Sequence, residues 1–234
     1  MPHGLGGPLR RATIGVAIGL MSADTPAYAA GGPDIVDDAF AETPKVCHLE
    51  SWLIAPLHGD ALTHAGIGCT FAAVPRLELD GAVEYQRGNA DGPWSFQPTA
   101  KYTLLVHPGV FAIGLSGAGF VDRHGHLDGF AVDMPASFTR GRFTTINVDI
   151  GCVGTLERHA PAQYQVSWGV QIVQAIAPHF SLMGEVFGVE AQKPGEQAGV
   201  RWSPGPQKVD IDLRASHGGT FAGTALTLGI TFRV

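Results

Sequence analysis

The chain has 234 residues, of which 15 are basic, 21 acidic and 32 glycine, and only 15% carry a charge. Its mean hydropathy is +0.12, yet past the N-terminal region no stretch reaches the ~18 apolar residues that a transmembrane helix needs. An acidic chain without a basic run is not built for nucleic acid, and apolar residues dispersed in this way belong to strands.

Arg10 and Arg11, the apolar run Ala12 to Met21 and the small-x-small triplet Ala27-Tyr28-Ala29 predict a cleaved secretory signal peptide over residues 1–29. Its apolar core is too short to span a bilayer as a helix. The remaining chain carries 13 basic and 20 acidic residues and is long enough for one domain. Residues 30–45 (AGGPDIVDDAFAETPK) are polar, rich in Gly, Pro and Asp, and without period. They are expected to form an irregular periplasmic lead-in to a domain over residues 46–234.

From residue 46 onward strand-like segments follow one another between turn signals, with no amphipathic helix among them. Leu77, Leu79, Gly81, Val83 and Tyr85 alternate with Glu78, Asp80, Ala82, Glu84 and Gln86. The same period of two sets apolar against polar residues in 94–106, 144–152, 164–172 and 208–214. Weaker segments at 46–55, 62–74, 110–121, 129–139, 180–189 and 197–202 raise the total, with the last strand, to about twelve. Pro98 and Pro135 each remove a ladder donor, so a bulge or a boundary is expected at both.

The last strand alternates Leu226, Leu228, Ile230, Phe232 and Val234 with Ala225, Thr227, Gly229, Thr231 and Arg233, and stays apolar to the chain end. Its tail, Thr227-x-Gly229-x-x-Phe232-x-Val234, resembles the C-terminal insertion signal of bacterial outer-membrane β-barrels. Taken alone, the strand could also be the final strand of a soluble β-sandwich. The connections decide between the two. Those at 56–61, 87–93, 122–128, 156–163, 190–196 and 215–220 are polar and mostly long. Those at Pro75-Arg76, Pro108-Gly109, 140–142, 177–179 and 203–206 are mostly shorter. Long loops on one side, short turns on the other and an even strand count describe a closed antiparallel transmembrane β-barrel, whereas a sandwich gives no reason for such alternation.

A sheet can span lipid only by closing on itself, because every backbone N–H and C=O must find an internal partner. The apolar rows therefore face lipid, with Tyr85, Trp94, Tyr102, Tyr164, Trp168 and Phe232 as candidates for the aromatic girdles. Carboxylates such as Glu78, Asp80, Glu84, Asp149, Asp210 and Asp212 must face the lumen.

Folding residues 46–74 as a hairpin about position 58 sets Cys47 opposite Cys69, a disulfide or two reduced thiols, with Cys152 free in the lipid-facing row. The same hairpin turns His48, Glu50 and His64 inward beside Glu78, Asp80 and Glu84. Histidines among carboxylates can bind a metal or titrate. No tight His-x-His or Cys-x-x-Cys spacing occurs among them, so a hydrogen-bonded lumen network, without metal or cofactor, is expected. His124 and His126 with Asp122 and Asp128 do have tight spacing, but in an outer loop, where solvation is expected. Ser216, His217 and Glu185 could be pressed into a hydrolase triad as in outer-membrane lipases, yet no nucleophile elbow is present.

Residues Pro33-Asp34-Ile35-Val36-Asp37-Asp38-Ala39, then Pro44, then Cys47-His48-Leu49-Glu50-Ser51-Trp52 resemble the start of small barrels of the meta-pathway phenol-degradation family. The resemblance implies an outer-membrane barrel of a Gram-negative bacterium that passes small hydrophobic or aromatic compounds, and carries over no catalytic residue. The expectation is a passive channel or transporter, not an enzyme. Its partners would be outer-membrane lipid, a small solute and the barrel-assembly machinery that reads the last strand. A structural barrel with a plugged lumen, or an outer-membrane lipid hydrolase, is the alternative.

Overall fold

The structure, a computed structural model, describes residues 33–86, 93–141, 143–156, 161–205, 208–219 and 223–234. The expected signal peptide lies outside them. The strands are β1 (Cys47–Pro56), β2 (Leu62–Phe71), β3 (Val74–Gln86), β4 (Trp94–His107), β5 (Phe111–Asp122), β6 (Leu127–Asp133), β7 (Ala136–Arg140), β8 (Thr144–Thr155), β9 (Gln163–Ala177), β10 (Phe180–Val189), β11 (Gly195–Trp202), β12 (Val209–Gly218) and β13 (Thr224–Arg233). Each pairs antiparallel with its neighbours, and β1 pairs with β13 from His48↔Arg233 to Pro56↔Ala225, which closes the sheet into a barrel.

The barrel has twelve walls, because β6 and β7 are two halves of one. Both pair with β5 on one side and β8 on the other. The register to β8 runs from Asp133↔Gly151 to Ala136↔Val148 without a shift. Pro135, which has no N–H to give, thus interrupts the wall without displacing it. Pro98 acts likewise, falling where the β4–β5 ladder skips from Phe96↔Val121 to Thr99↔Ala118. The expected turn at Pro75-Arg76 is displaced: β2 turns into β3 between Phe71 and Val74. Pro75, Arg76 and Leu77 are the surplus residues of a bulge between Thr70↔Glu78 and Phe71↔Val74, where a proline costs no ladder bond.

Burial is inverted relative to a water-soluble domain. Among the described residues seven apolar side chains are buried, against twenty-two polar or charged ones. The rows holding Leu49, Leu53, Leu79, Val83, Leu226, Leu228 and Phe232 are exposed on the outside. Lipid solvates them, and a charge in their place near mid-membrane would cost about 2–4 kcal/mol. Trp94, Tyr102, Tyr164, Trp168 and Phe232 also face outward. Tyr85 packs on Trp94 across the strand pair with ring centroids 4.7 Å apart.

Cys47 and Cys69 are direct cross-strand partners and form a disulfide, while Cys152 is free beside the outward Ile146, Val148 and Ile150. The cross-link spans 22 residues, so the chain-entropy account assigns it about 3 kcal/mol. Titration of the denatured, unreduced protein is expected to find one thiol. Reduction is expected to lower the stability of the detergent-refolded barrel by about 3 kcal/mol, read from urea unfolding.

Candidate functional site

The lumen is not empty. Residues 33–45, expected below the barrel as a periplasmic lead-in, run through its interior. They form no strand, and their backbone N–H groups go to inward side chains of the wall, to the segment's own Asp37, Asp38 and Glu42, and, at Lys45, to Thr70 O. At the rim Cys47 and Val234 exchange backbone hydrogen bonds, and Thr70 N–H donates to Val46. The chain then reverses from β1 into the lumen at Lys45, whose φ of 74° lies in the left-handed region. A non-glycine residue held there marks a reversal that the surroundings enforce.

Working inward, Glu42 accepts a hydrogen bond from Arg233 Nε at 2.8 Å and donates its N–H to Glu78. Ala41 N–H reaches Thr103 Oγ1 at 2.8 Å, and Ala39 N–H reaches Ser137 Oγ at 2.9 Å. Lys101 Nζ lies 2.7 Å from Asp37 and 3.8 Å from Asp38. Val36 N–H donates to Glu185 at 3.1 Å, and Pro33 O accepts from Gln197 at 3.1 Å. Asp34 occupies the centre: Arg214 Nη1 is 2.7 Å and Arg201 Nη2 3.0 Å away, and Gln171 donates to it. The two guanidiniums also share Asp212 at 2.9 Å each. A relay from Ser137 through Asn147 to Gln171, 2.8 and 2.7 Å per step, braces the clasp across three walls.

Four cations, Lys101, Arg201, Arg214 and Arg233, are buried or nearly so, and each pairs with an acid of this segment. Space for the segment comes from glycines in the inward rows. A Cβ at Gly169 would lie 2.4 Å from Val36, one at Gly229 2.8 Å from Pro33, and one at Gly114 3.1 Å from Ala39. Burial disfavours ionising Asp34, but Arg214 and Arg201 outweigh it and hold the carboxyl below its ordinary value of 3.8.

The inward carboxylates and histidines of β1–β3 do come together. His64 Nδ1 is 3.2 Å from Glu84 and its Nε2 3.5 Å from Glu50, while Trp52 stacks on its ring at 3.4 Å. His48 Nε2 is 3.7 Å from Asp80 and 4.0 Å from Glu50. Asp149 stands apart, on β8, where its carboxylate faces Asp37 N–H at 3.4 Å. With Asp37, Asp133, Ser116, Phe120 and Phe187 it lines a cavity of about 250 Å³. Ser216 is buried while its neighbour His217 is exposed on the other face of β12, so the hydrolase triad is not assembled. In the outer loop Asp122 accepts the N–H groups of both His124 and His126. The residues missed at the sequence level are those of the segment and its clasp. The one signal for them was Asp34, Asp37, Asp38 and Glu42 in a stretch too acidic to be a mere spacer.

A family profile described as "Uncharacterised conserved protein UCP029691" matches residues 17–234. A search of curated proteins found no match. Among solved structures, the KdgM porin is similar over 79% of this chain and 98% of its own, at 7% identity and a TM-score of 0.63. The same porin in complex with disordered oligogalacturonate scores 0.60 at 7% identity, over 80% of this chain and 98% of its own. The COG4313 outer membrane channel from Pseudomonas putida F1 is similar at 12% identity and a TM-score of 0.52, over 84% of this chain and 98% of its own. At such identities these likenesses establish the outer-membrane barrel fold.

Replacing Asp34 by Asn leaves two buried guanidiniums short of a counter-charge and is expected to cost about 3 kcal/mol of barrel stability at neutral pH. Because the folded-state value of Asp34 is depressed, its contribution is complete above its ordinary value of 3.8 and fades as pH falls through the folded one. The stability gap between native protein and Asp34→Asn, measured by urea unfolding in detergent, should stay constant from about pH 8 to 5 and shrink below about pH 4.

Proposed function

The chain belongs to that family, and from this premise and its occupied lumen we propose that it is an outer-membrane channel for small solutes, closed by its own N-terminal segment. The observation that carries the reading is the clasp of Asp34 by Arg201 and Arg214 at mid-lumen. Small barrels can fill their interior with wall side chains alone. Here inward glycines clear a path for a separate strip of chain, held by hydrogen bonds and ion pairs that water can replace one at a time. Such a strip is an order–disorder element of the kind that gates by leaving its seat.

Residence in the outer membrane of a Gram-negative bacterium, with insertion through assembly machinery that reads β13, is supported by the exposed apolar rows and by the terminal Phe232 and Val234. The cargo class is supported by the cavity of about 250 Å³ that Ile35 and Asp37 of the segment help to line, which suits a single-ring compound. Phe120 and Phe187 offer apolar surface in it, and Ser116, Asp133 and Asp149 offer polar contacts. The resemblance of residues 33–52 to the meta-pathway phenol-degradation barrels favours small aromatic molecules in the same sense. The second reading, a permanently plugged structural barrel, draws on the same ion pairs taken as irreversible.

Planar-bilayer conductance separates the two. The native protein should show small or rare openings. A variant lacking residues 33–43, and Gly169→Val, which drives a side chain into the seat of Val36, should each conduct several-fold more. A deletion variant that folds and yet stays silent would establish the structural reading instead.

A further inference from the structure

Three strands bring His48, Glu50, His64, Glu78, Asp80 and Glu84 to one side of the lumen, with His48, Glu78 and Asp80 towards the rim where Cys47 meets Val234. The one Lys or Arg in β1–β3 is Arg76, which lies exposed in the bulge of β3 and reaches Leu104 O at 3.4 Å. Lys101, directly across from Glu78 in register, turns its ammonium to Asp37 and Asp38. Four carboxylates thus share a small volume with two imidazoles and no permanent cation from these strands.

His48 is the group that a hydrogen-bonded network does not explain. It is 5% exposed, and its Nδ1 is buried without a hydrogen-bond partner. Its Nε2 stands 3.7 Å from Asp80 Oδ1 and 4.0 Å from Glu50 Oε2, beyond hydrogen-bond reach. Asp80 Oδ1 is itself buried without a partner. Leaving such groups unpaired costs about 1–3 kcal/mol each.

The space between them is made by Gly68. Register places it between His48 on β1 and Asp80 on β3, so the two side chains lean over an empty position to meet. A Cβ there would lie 1.8 Å from Asp80 Oδ1 and 2.4 Å from His48 Cε1. Its backbone is ordinary strand and would accept a side chain. The glycine is explained by what it leaves open.

We propose that His48, Glu78 and Asp80 form a binding site for a divalent transition-metal ion of the Zn²⁺ class. One ligand atom from each of the three lies within 4.8 Å of the others. A tetrahedral centre with bonds of about 2.1 Å spaces its ligands roughly 3.4 Å apart, so an ion would draw them together by about an ångström. Imidazole with two carboxylates suits zinc and its neighbours, whereas Ca²⁺ and Mg²⁺ call for shells made of oxygen. Three protein ligands leave the fourth position open. Glu78 also accepts the N–H of Glu42, so the site abuts the foot of the N-terminal segment, while its three ligands all come from the wall.

The test is titration of the detergent-refolded mature protein with Zn²⁺ by calorimetry, with Ca²⁺ in excess throughout. One equivalent is expected to bind. His48→Gln, Asp80→Asn and Gly68→Ala are each expected to weaken binding about 10- to 100-fold, and the last does so without removing a ligand. Replacing the loop histidines His124 and His126 together should leave the affinity unchanged. The proposal is overturned if the native protein binds no zinc, if Ca²⁺ displaces it, or if the loop double variant abolishes binding. It is equally overturned if Gly68→Ala, verified as folded by its heat-modifiable migration, binds as tightly as the native chain.

Discussion

The hydrogen bonds between β1 and β13 are the condition for the rest. Nine residue pairs, from His48↔Arg233 to Pro56↔Ala225, close a sheet that would otherwise offer two unpaired edges to hydrocarbon. Each unmet backbone group there costs several kcal/mol, so the sheet is a barrel or it does not span. Closure fixes which face is which. With Leu49, Leu53, Leu226 and Leu228 in lipid, the alternate residues have nowhere to go but the lumen, and period-two alternation then makes that lumen predominantly polar.

A polar lumen occupied by a strip of the chain must balance its buried charges. The wall projects Lys101, Arg201, Arg214 and Arg233, and no two of them are neighbours in sequence. The segment answers with Asp37 and Asp38, with Asp34 twice, and with Glu42. Without it, Arg214, almost wholly buried, would face Asp212 and the more distant Glu185 as its ion-pair partners among the described residues. Of the acids left over on the wall, Asp133 and Asp149 line the cavity, and Glu50, Glu78, Asp80 and Glu84 gather on β1–β3 around two histidines. Where the segment reaches, it supplies the counter-charges. Where it does not, the carboxylates crowd on one another, and a mobile cation is the remaining way to balance them.

The fold was legible because a strand repeats every two residues and a barrel writes that period across the whole chain. Closure, the number of walls and the Cys47–Cys69 pairing all follow from rows and turn positions. Turn detail was less legible: Pro75-Arg76 looks like a turn, and only the register with β2 reveals it as a bulge. The candidate site divides on the same line. His48, Glu50, His64, Glu78, Asp80 and Glu84 could be placed together because they sit on adjacent strands of known register. The seat of residues 33–45 could not be, since an aperiodic segment has no face to read. Its partners Arg201, Arg214 and Gln171 come from walls that nothing in the local sequence connects to it. The wall glycines were visible, but a glycine records that something approaches without recording what.

The proposed release of the segment and the integrity of the barrel make opposite demands on neighbouring residues. Asp34 and Asp37 are held by ion pairs to Arg201, Arg214 and Lys101. Cys47, a few residues further along the same chain, starts the strand that seals the wall. Were the two continuous in conformation, withdrawing the segment would pull on β1 and open the seam at its most exposed end. Two features decouple them. The left-handed turn at Lys45 breaks the extended path, so tension from the lumen is not delivered along the strand axis. The disulfide from Cys47 to Cys69 ties the first residue of β1 to β2 covalently, so fraying from that end stops at the rim. The gating proposed here needs such a joint between plug and wall, and the chain places it within three residues.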